Sequence, residues 1–359
     1  MVKFSPNKAF KSDSQRLAVS LRSSIAKRRS HLNAALYFSW QRRTCLRVRK
    51  PNKYKFKRMN DSYPLYARLL ARDIVKIPEL PDFSSDDGLF IMSDFGGEHK
   101  GADFSTYAFL ILSADKRFVF EEHIKELRKK HSLNEPFKEL NYKDLRYGPI
   151  KRALSEYLEL VDKYIHGALV TVSIDRNIET VFGLNAQASH KELVALLSNH
   201  GFSGWKGKDA EKLFRVLHPL CMFLSALGHH GQKTLWLCDN DTINEDGNER
   251  SFEDTQKIYG NVLKMYCDYE FDILGFAKPF DNEPLTSDLL SVTDFAAGTI
   301  QDILQSHVKK KDYKGNESKI KLVKWMAKES TFLSKINLVI TRLEDGDWGC
   351  GKVELGEKI

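Results

Sequence analysis

Residues 89–97 read LFIMSDFGG and residues 105–112 read STYAFLIL, with Gly96, Gly97 and Gly101 between the two apolar runs. Two apolar runs separated by a short glycine-rich turn predict an antiparallel hairpin. Beyond the hairpin, strand and helix patterns alternate along the chain. The strands are predicted at 168–174, 234–238 and 271–277, and the helices at 118–131, 150–164, 252–266 and 287–305. Residues 178–230 are predicted to be mainly helical, with a loop at 201–208. This order predicts an α/β fold, in which helices flank a mixed sheet.

Composition divides the chain into four segments around that hairpin. A basic N-terminal arm is predicted at residues 1–60, and a proline-rich junction follows at 61–87. The main α/β domain is predicted at 88–305, and a C-terminal extension at 306–359 carries a helical pattern near 320–325 and a strand at 338–342. The chain of 359 residues is long enough for two domains or for one elaborated domain.

Charge is concentrated in the arm. Residues 1–58 hold 17 Lys and Arg and one acid, Asp13, whereas the rest of the chain is acidic. Such a segment favours contact with DNA or RNA, because each neutralised phosphate releases counterions. An amphipathic helix with Leu17, Leu21 and Ile25 on one face is predicted within it. A mitochondrial transit peptide, a protein-binding arm and a solvated tail share this composition, and the sequence leaves all of them open.

Several classes of protein are disfavoured. The longest apolar run, residues 217–227, is interrupted by His218 and Pro219 and is shorter than the roughly 20 residues of a membrane helix, so no membrane partner is predicted. The five cysteines form no C-x-x-C pair, which argues against a zinc ribbon and a disulfide framework and favours the cytoplasm. The glycine-rich and histidine motifs of nucleotide-binding proteins, metalloproteases and serine hydrolases are absent from the sequence.

Four carboxylates occupy positions from which they could converge. Asp94 follows the first strand, Glu139 lies in an extended segment at 137–142, Asp239 follows the strand 234–238, and Asp294 lies in the last long helix. Carboxylates that meet repel each other, by about 4 kcal/mol at 4 Å in an effective dielectric of 20, and therefore need a cation. Mg²⁺ or Mn²⁺ suits oxygen ligands, and two such ions can support phosphodiester hydrolysis.

Each carboxylate also has a plain structural interpretation. Asp94 could form the turn before Gly96, and Asp239 and Asp241 could cap the loop after their strand. Glu139 sits among charged residues, which is typical of a solvated position. Asp294 is the most informative, because it interrupts the small, apolar stretch VTDFAAG at 292–298, where burial of a carboxylate is costly without a partner. Asp288, earlier in the same helix, is second to Asp294 as a ligand and could instead cap the helix.

The order of these motifs resembles a large prokaryotic family of RNase H-like proteins of unknown function. Its motifs run approximately D-E-x-G, E-x-K, a hydrophobic strand ending in Asp, and a helix with A-D-x-x-A, and its members are predicted metal-dependent nucleases of mobile-element and phage-defence settings. The resemblance covers residues 88–305 and implies an RNase H-like fold with Asp94, Glu139, Asp239 and Asp294 as metal ligands and catalytic groups. The chain departs from the motifs at Phe95, Asn141 and Thr293.

The sequence therefore predicts a nuclease that uses Mg²⁺ or Mn²⁺ and acts on DNA or RNA held by the basic arm. The alternative is a non-catalytic nucleic-acid-binding or assembly protein that uses the same arm. Hydrolysis of a free nucleotide or another phosphate ester fits the same ligand types. The sequence does not indicate the oligomeric state.

Overall fold

The computed structural model describes residues 48–56, 59–239, 241–245, 249–279, 283–343 and 346–355. The chain divides between Val48 and Arg49, and the unit from Arg49 to Ile359 contains all the elements given below. The amphipathic helix predicted for the arm lies outside the described residues. Of the predicted extended arm segment at 42–58, the structure assigns a strand to Arg49–Pro51.

The described residues form nine strands in two sheets. The strands are β1 (Arg49–Pro51), β2 (Glu79–Pro81), β3 (Gly88–Gly96), β4 (Phe104–Ser113), β5 (Gly167–Asp175), β6 (Lys233–Cys238), β7 (Ile273–Ala277), β8 (Leu333–Arg342) and β9 (Trp348–Lys352). β1 and β2 form a small antiparallel ribbon, and the other seven form one sheet in the order β7-β6-β3-β4-β5-β8-β9. β4 and β9 run antiparallel to their neighbours, and the other pairs in the sheet are parallel.

Helices cover both faces of the seven-stranded sheet. They are α1 (Leu65–Ile74), α2 (Phe118–Lys130), α3 (Gly148–Tyr164), α4 (Ala186–Asn199), α5 (Gly207–Leu227), α6 (Phe252–Tyr266), α7 (Pro284–Val308) and α8 (Glu317–Ala327). α1, α4, α5 and α6 share a core with the face of the sheet that carries Ile91, Phe109 and Val170. α7 crosses the opposite face against β3, β4 and β5, with α2 and α8 beside it. The fold is α/β, with a mixed sheet between two helical layers.

The apolar run at 217–227 lies in α5, which is buried on nearly all sides. Pro219 lies inside this helix, and the imidazole of His218 contacts the Tyr266 hydroxyl. Burial lowers the pKa of His218 to about 3, so its ring is neutral. None of the helices in the described ranges is both long and apolar enough to cross a membrane.

Elements outside the predicted main domain also belong to this unit. In the junction, Tyr66 and Leu70 of α1 are fully buried in the shared core. In the C-terminal extension, β8 pairs in parallel with β5 along eight residues from Leu333 to Ile340. The strand is longer than the predicted 338–342 because its polar residues are paired inside the protein. Asn337, for example, accepts a 2.8 Å hydrogen bond from the Thr171 hydroxyl.

Candidate functional site

Asp94 and Asp239 are brought together by strand register. β3 and β6 are parallel neighbours in which Ser93 pairs with Cys238, so the next residues, Asp94 and Asp239, follow at the same edge of the sheet. The Asp239 N–H donates to the Ser93 carbonyl at 3.3 Å, which extends the pairing one residue beyond β6. Because side chains alternate along a strand, both carboxylates face the side opposite the Cys238 core, toward α7.

Asp294 approaches the same point from α7. Asp94, Asp239 and Asp294 line one cavity of about 800 Å³, and Glu139 lies on its wall. The structure therefore places all four predicted residues around a single space at the carboxyl ends of β3 and β6, an edge where ligands commonly bind in α/β sheets. Ser287 and Ser291, on the preceding turns of α7, line the cavity too.

Two of the carboxyl groups in the cavity, those of Asp94 and Asp294, have raised pKa values. Burial, followed by the charges of Asp294, Asp239 and Asp241, raises the pKa of Asp94 to about 8. Burial also raises the pKa of Asp294 to about 6, against the opposing effects of a backbone N–H and the charge of Lys143. Like charges that are buried together favour the protonated form of one of the two carboxyls.

Glu139 is held differently from the three aspartates. The segment predicted to be extended at 137–142 forms no regular strand. Phe137 makes an isolated β-bridge with Asn134, Asn141 has extended backbone angles, and a 3₁₀ turn follows at Tyr142–Asp144. The apolar residues of this segment do not alternate as they would in a strand, and Leu140 alone is buried in the core. Glu139 is exposed and accepts a hydrogen bond from the Asn141 amide at 3.3 Å.

Asp288 is neither a helix cap nor part of the cavity that contains Asp94. It is fully buried in α7 and receives two 2.7 Å bonds from the Arg128 guanidinium. Arg128 also donates to the carbonyls of Leu133 and Lys138, both at 3.0 Å. This pair therefore ties the segment before Glu139 to α7. This pair could not be predicted, because Arg128 belongs to a basic run that is typical of a solvated helix end.

Asp241 has the loop-forming role that was one alternative for the acids after β6. Its carboxylate accepts the Ile243 N–H at 3.1 Å and pairs with Lys212 of α5 at 2.6 Å. The Lys212 ammonium also contacts Glu98. Asp241 is thus occupied by loop contacts, whereas Asp239 lines the cavity.

Two cations on the cavity wall were not expected to be functional. Lys143 and Lys278 are exposed residues that line the same space as the carboxylates. Lys143 was visible in the sequence only as one charge among several around Glu139, and Lys278 follows β7 without any motif. Ammonium groups beside a carboxylate cluster suit a phosphate, whose negative charge the carboxylates alone would repel.

A divalent cation requires suitable donor atoms and suitable spacing between them, and the carboxylates of the cavity meet the first requirement. The carboxylate oxygens fit Mg²⁺ or Mn²⁺ by donor type and by charge. The raised pKa of Asp94 agrees with this, because the charges of the neighbouring carboxylates contribute to it. Ligand spacing is a separate requirement. In the part of the chain that the structure describes, no group of three or more His, Cys, Asp or Glu side chains is arranged to hold a metal ion.

No protein-family model matches this sequence, and no curated protein matches it either. The chemistry of the cavity must therefore be argued from its own residues.

Proposed function

We propose that this protein is a divalent-metal-dependent phosphodiesterase with an RNase H-like fold that cleaves DNA or RNA. One observation carries the proposal. Asp94, Asp239 and Asp294, which are far apart in sequence, line one cavity, and the pKa of Asp94 is raised to about 8 by burial and by the other carboxylates. Groups with perturbed pKa values that converge in a cleft are typical of functional sites.

The layout of the elements supports the RNase H-like assignment. The first strand of the hairpin, β3, carries Asp94. Asp239 directly follows β6, the parallel neighbour of β3, and the late helix α7 crosses the sheet with Asp294. The segment after the first long helix, α2, carries Glu139 to the cavity. This is the order of motifs on which the resemblance to the RNase H-like family rests.

The residues divide into two roles in this proposal. Asp94, Asp239 and Asp294 hold the cation, and Glu139 serves as a further ligand or orients the attacking water. A bound divalent cation supplies Lewis acidity and a more acidic water. Lys143 and Lys278, which line the same cavity, hold the substrate phosphate. The basic arm contacts the nucleic-acid backbone without reading sequence.

Cleavage by the full-length protein tests the proposal. Single- and double-stranded DNA and RNA are each incubated with Mg²⁺ or Mn²⁺ and with the wild type, Asp94→Asn or Asp294→Asn. Asp175→Asn is the matched control, since Asp175 ends β5 at the same edge of the sheet but lies outside the cavity. We expect metal-dependent cleavage that is lost in the first two variants and kept in the control. Cleavage that persists in both Asp94→Asn and Asp294→Asn would remove the mechanism.

A non-catalytic nucleic-acid-binding protein is the second candidate. The observation that favours it is the lack of a ready-made three-ligand group among the described residues. Titration with Mn²⁺ separates the two candidates, because a cation that binds the folded state raises its melting temperature. Nucleic-acid binding without any thermal shift by Mn²⁺ would favour the binding protein.

A further inference from the structure

Tyr142 makes three contacts along one face of α7. Its backbone N–H donates to Asp294 Oδ2 at 2.6 Å, and its hydroxyl donates to Asp302 Oδ2 at 2.7 Å. Between these two acids, its ring lies directly over Gly298. Residues 294, 298 and 302 are spaced four apart and therefore share one stripe of the helix.

Gly298 leaves the space that the Tyr142 ring occupies. A Cβ atom built on Gly298 would lie 2.5 Å from Cδ1 and 2.8 Å from Cε1 of the ring, closer than side-chain atoms approach each other. Glycine is a poor helix former, and here it lies near the middle of a helix of 25 residues. The close approach of the ring accounts for it.

Lys319 of α8 holds Tyr142 from the other side. Its ammonium donates to Asp302 Oδ2 at 2.6 Å and lies 4.6 Å from the centroid of the Tyr142 ring. The same carboxylate oxygen thus receives both the tyrosine hydroxyl and the lysine. The C-terminal helix α8 reaches the Asp294 carboxylate through this chain of contacts.

We propose that Tyr142 is a positioning residue that fixes the Asp294 carboxylate, and with it the segment carrying Glu139, for a divalent cation. The inference rests on the proposed function and assigns a role to residues that the predicted motifs do not include. Tyr142 does not touch the reacting atoms. Its backbone N–H sets the orientation of Asp294, and the contacts of its ring and hydroxyl keep that N–H in place.

The test measures Mn²⁺ affinity of the full-length protein by titration calorimetry. Gly298→Ala displaces the ring, Tyr142→Ala removes it, and Tyr142→Phe keeps the ring and its packing. Tyr66→Phe is the matched control, because the buried Tyr66 hydroxyl donates to the Phe214 carbonyl at 2.7 Å in the core on the other face of the sheet. Loss of an outer partner of a metal ligand typically weakens metal affinity 10- to 100-fold.

We expect Gly298→Ala and Tyr142→Ala to weaken Mn²⁺ binding at least tenfold, and Tyr142→Phe to restore affinity to within a few-fold of the wild type. Tyr66→Phe should lower the urea midpoint while leaving Mn²⁺ affinity unchanged. Wild-type affinity in folded Gly298→Ala and Tyr142→Ala would overturn the positioning role alone. If either fails to fold, Tyr142→Leu, which replaces the ring with a smaller apolar side chain, must weaken Mn²⁺ binding instead. A wild type that binds no Mn²⁺ would overturn the proposed function as well.

Discussion

The carboxyl groups of Asp94 and Asp294 line one cavity and repel each other, although they are 200 residues apart in the sequence. Burial, followed by the charge of Asp294, raises the pKa of Asp94 to about 8. The Asp94 carboxyl therefore holds a proton near neutral pH. The free energy of unfolding therefore includes an unfavourable contribution from this site, which grows as the pH rises.

The first prediction is that Asp94→Asn stabilises the metal-free protein at alkaline pH. An acid whose pKa is raised by folding keeps its proton in the native state, so the free energy of unfolding falls as the pH rises from about 4 to about 8. The asparagine side chain of the variant cannot ionise, so its free energy of unfolding does not fall in this way. We expect a gain of at least about 1 kcal/mol at pH 8.5 and a smaller one at pH 5, as is common where a site trades stability for activity.

Urea unfolding at the two pH values measures this difference. Asp175→Asn, outside the cavity, should show no such gain, because the Asp175 carboxylate accepts a 2.8 Å bond from the Asn177 N–H that the variant weakens. Equal destabilisation by Asp94→Asn at both pH values would show that the Asp94 carboxyl is not under strain.

The second prediction concerns the pH dependence of Mn²⁺ binding. A cation bound by Asp94 must displace its proton, and metal binding that releases protons strengthens as the pH rises. Below the Asp94 pKa of about 8, affinity should increase up to about tenfold per pH unit, and it should level off above that value. Calorimetry in buffers of different ionisation enthalpy counts the released protons. Affinity that is constant from pH 6 to 8, with no proton release, would contradict the assignment of Asp94 as a ligand.

The parts of the site that could be predicted from the sequence are those fixed by local pattern. The apolar run that ends at Cys238 predicted a strand with Asp239 directly after it. Parallel pairing of this strand with β3 then places Asp239 beside Asp94. The helix predicted at 252–266 is observed with the same bounds. It begins at a capping box in which Ser251 and Asp254 satisfy each other's backbone N–H groups.

The parts that could not be predicted depend on contacts between distant segments. Tyr142 carries no sequence signal, since its role comes from lying across α7 at Gly298. In the sequence Arg128 resembles a surface residue, because its partner Asp288 lies 160 positions later. β8 joins the sheet at Leu333 although its first half is polar. In each case a tertiary partner outweighs the local pattern.

The third prediction is that Arg128 and Asp288 stabilise the fold only as a pair. Both side chains are almost fully buried, and removal of one partner leaves the other charge uncompensated. Asp288→Ala should cost about 3–5 kcal/mol, whereas the apolar double variant Arg128→Met/Asp288→Leu should recover most of that loss. The exposed pair Lys257–Glu253 is the control, and Lys257→Gln should cost less than about 1 kcal/mol. A double variant no more stable than Asp288→Ala would refute this account of the pair.

The fourth prediction distinguishes two glycines in the turn that follows Asp94. Gly97 and Gly101 both have positive φ, +87° and +90°, so alanine at either position costs about 1–2 kcal/mol in backbone strain. Their surroundings differ. A Cβ on Gly97 would lie 2.0 Å from the Phe104 carbonyl oxygen, whereas a Cβ on Gly101 would have nothing within 4 Å.

Gly97→Ala should therefore cost about 1–3 kcal/mol more than Gly101→Ala, since the hairpin must shift to relieve a clash with its own backbone. Because Gly97 lies three residues after Asp94, this shift also moves the end of β3, and we expect Gly97→Ala to weaken Mn²⁺ binding while Gly101→Ala leaves it intact. Urea unfolding and Mn²⁺ calorimetry on the two variants check both effects. Equal stabilities would mean that the hairpin turn absorbs the extra methyl group without moving the strand that carries Asp94.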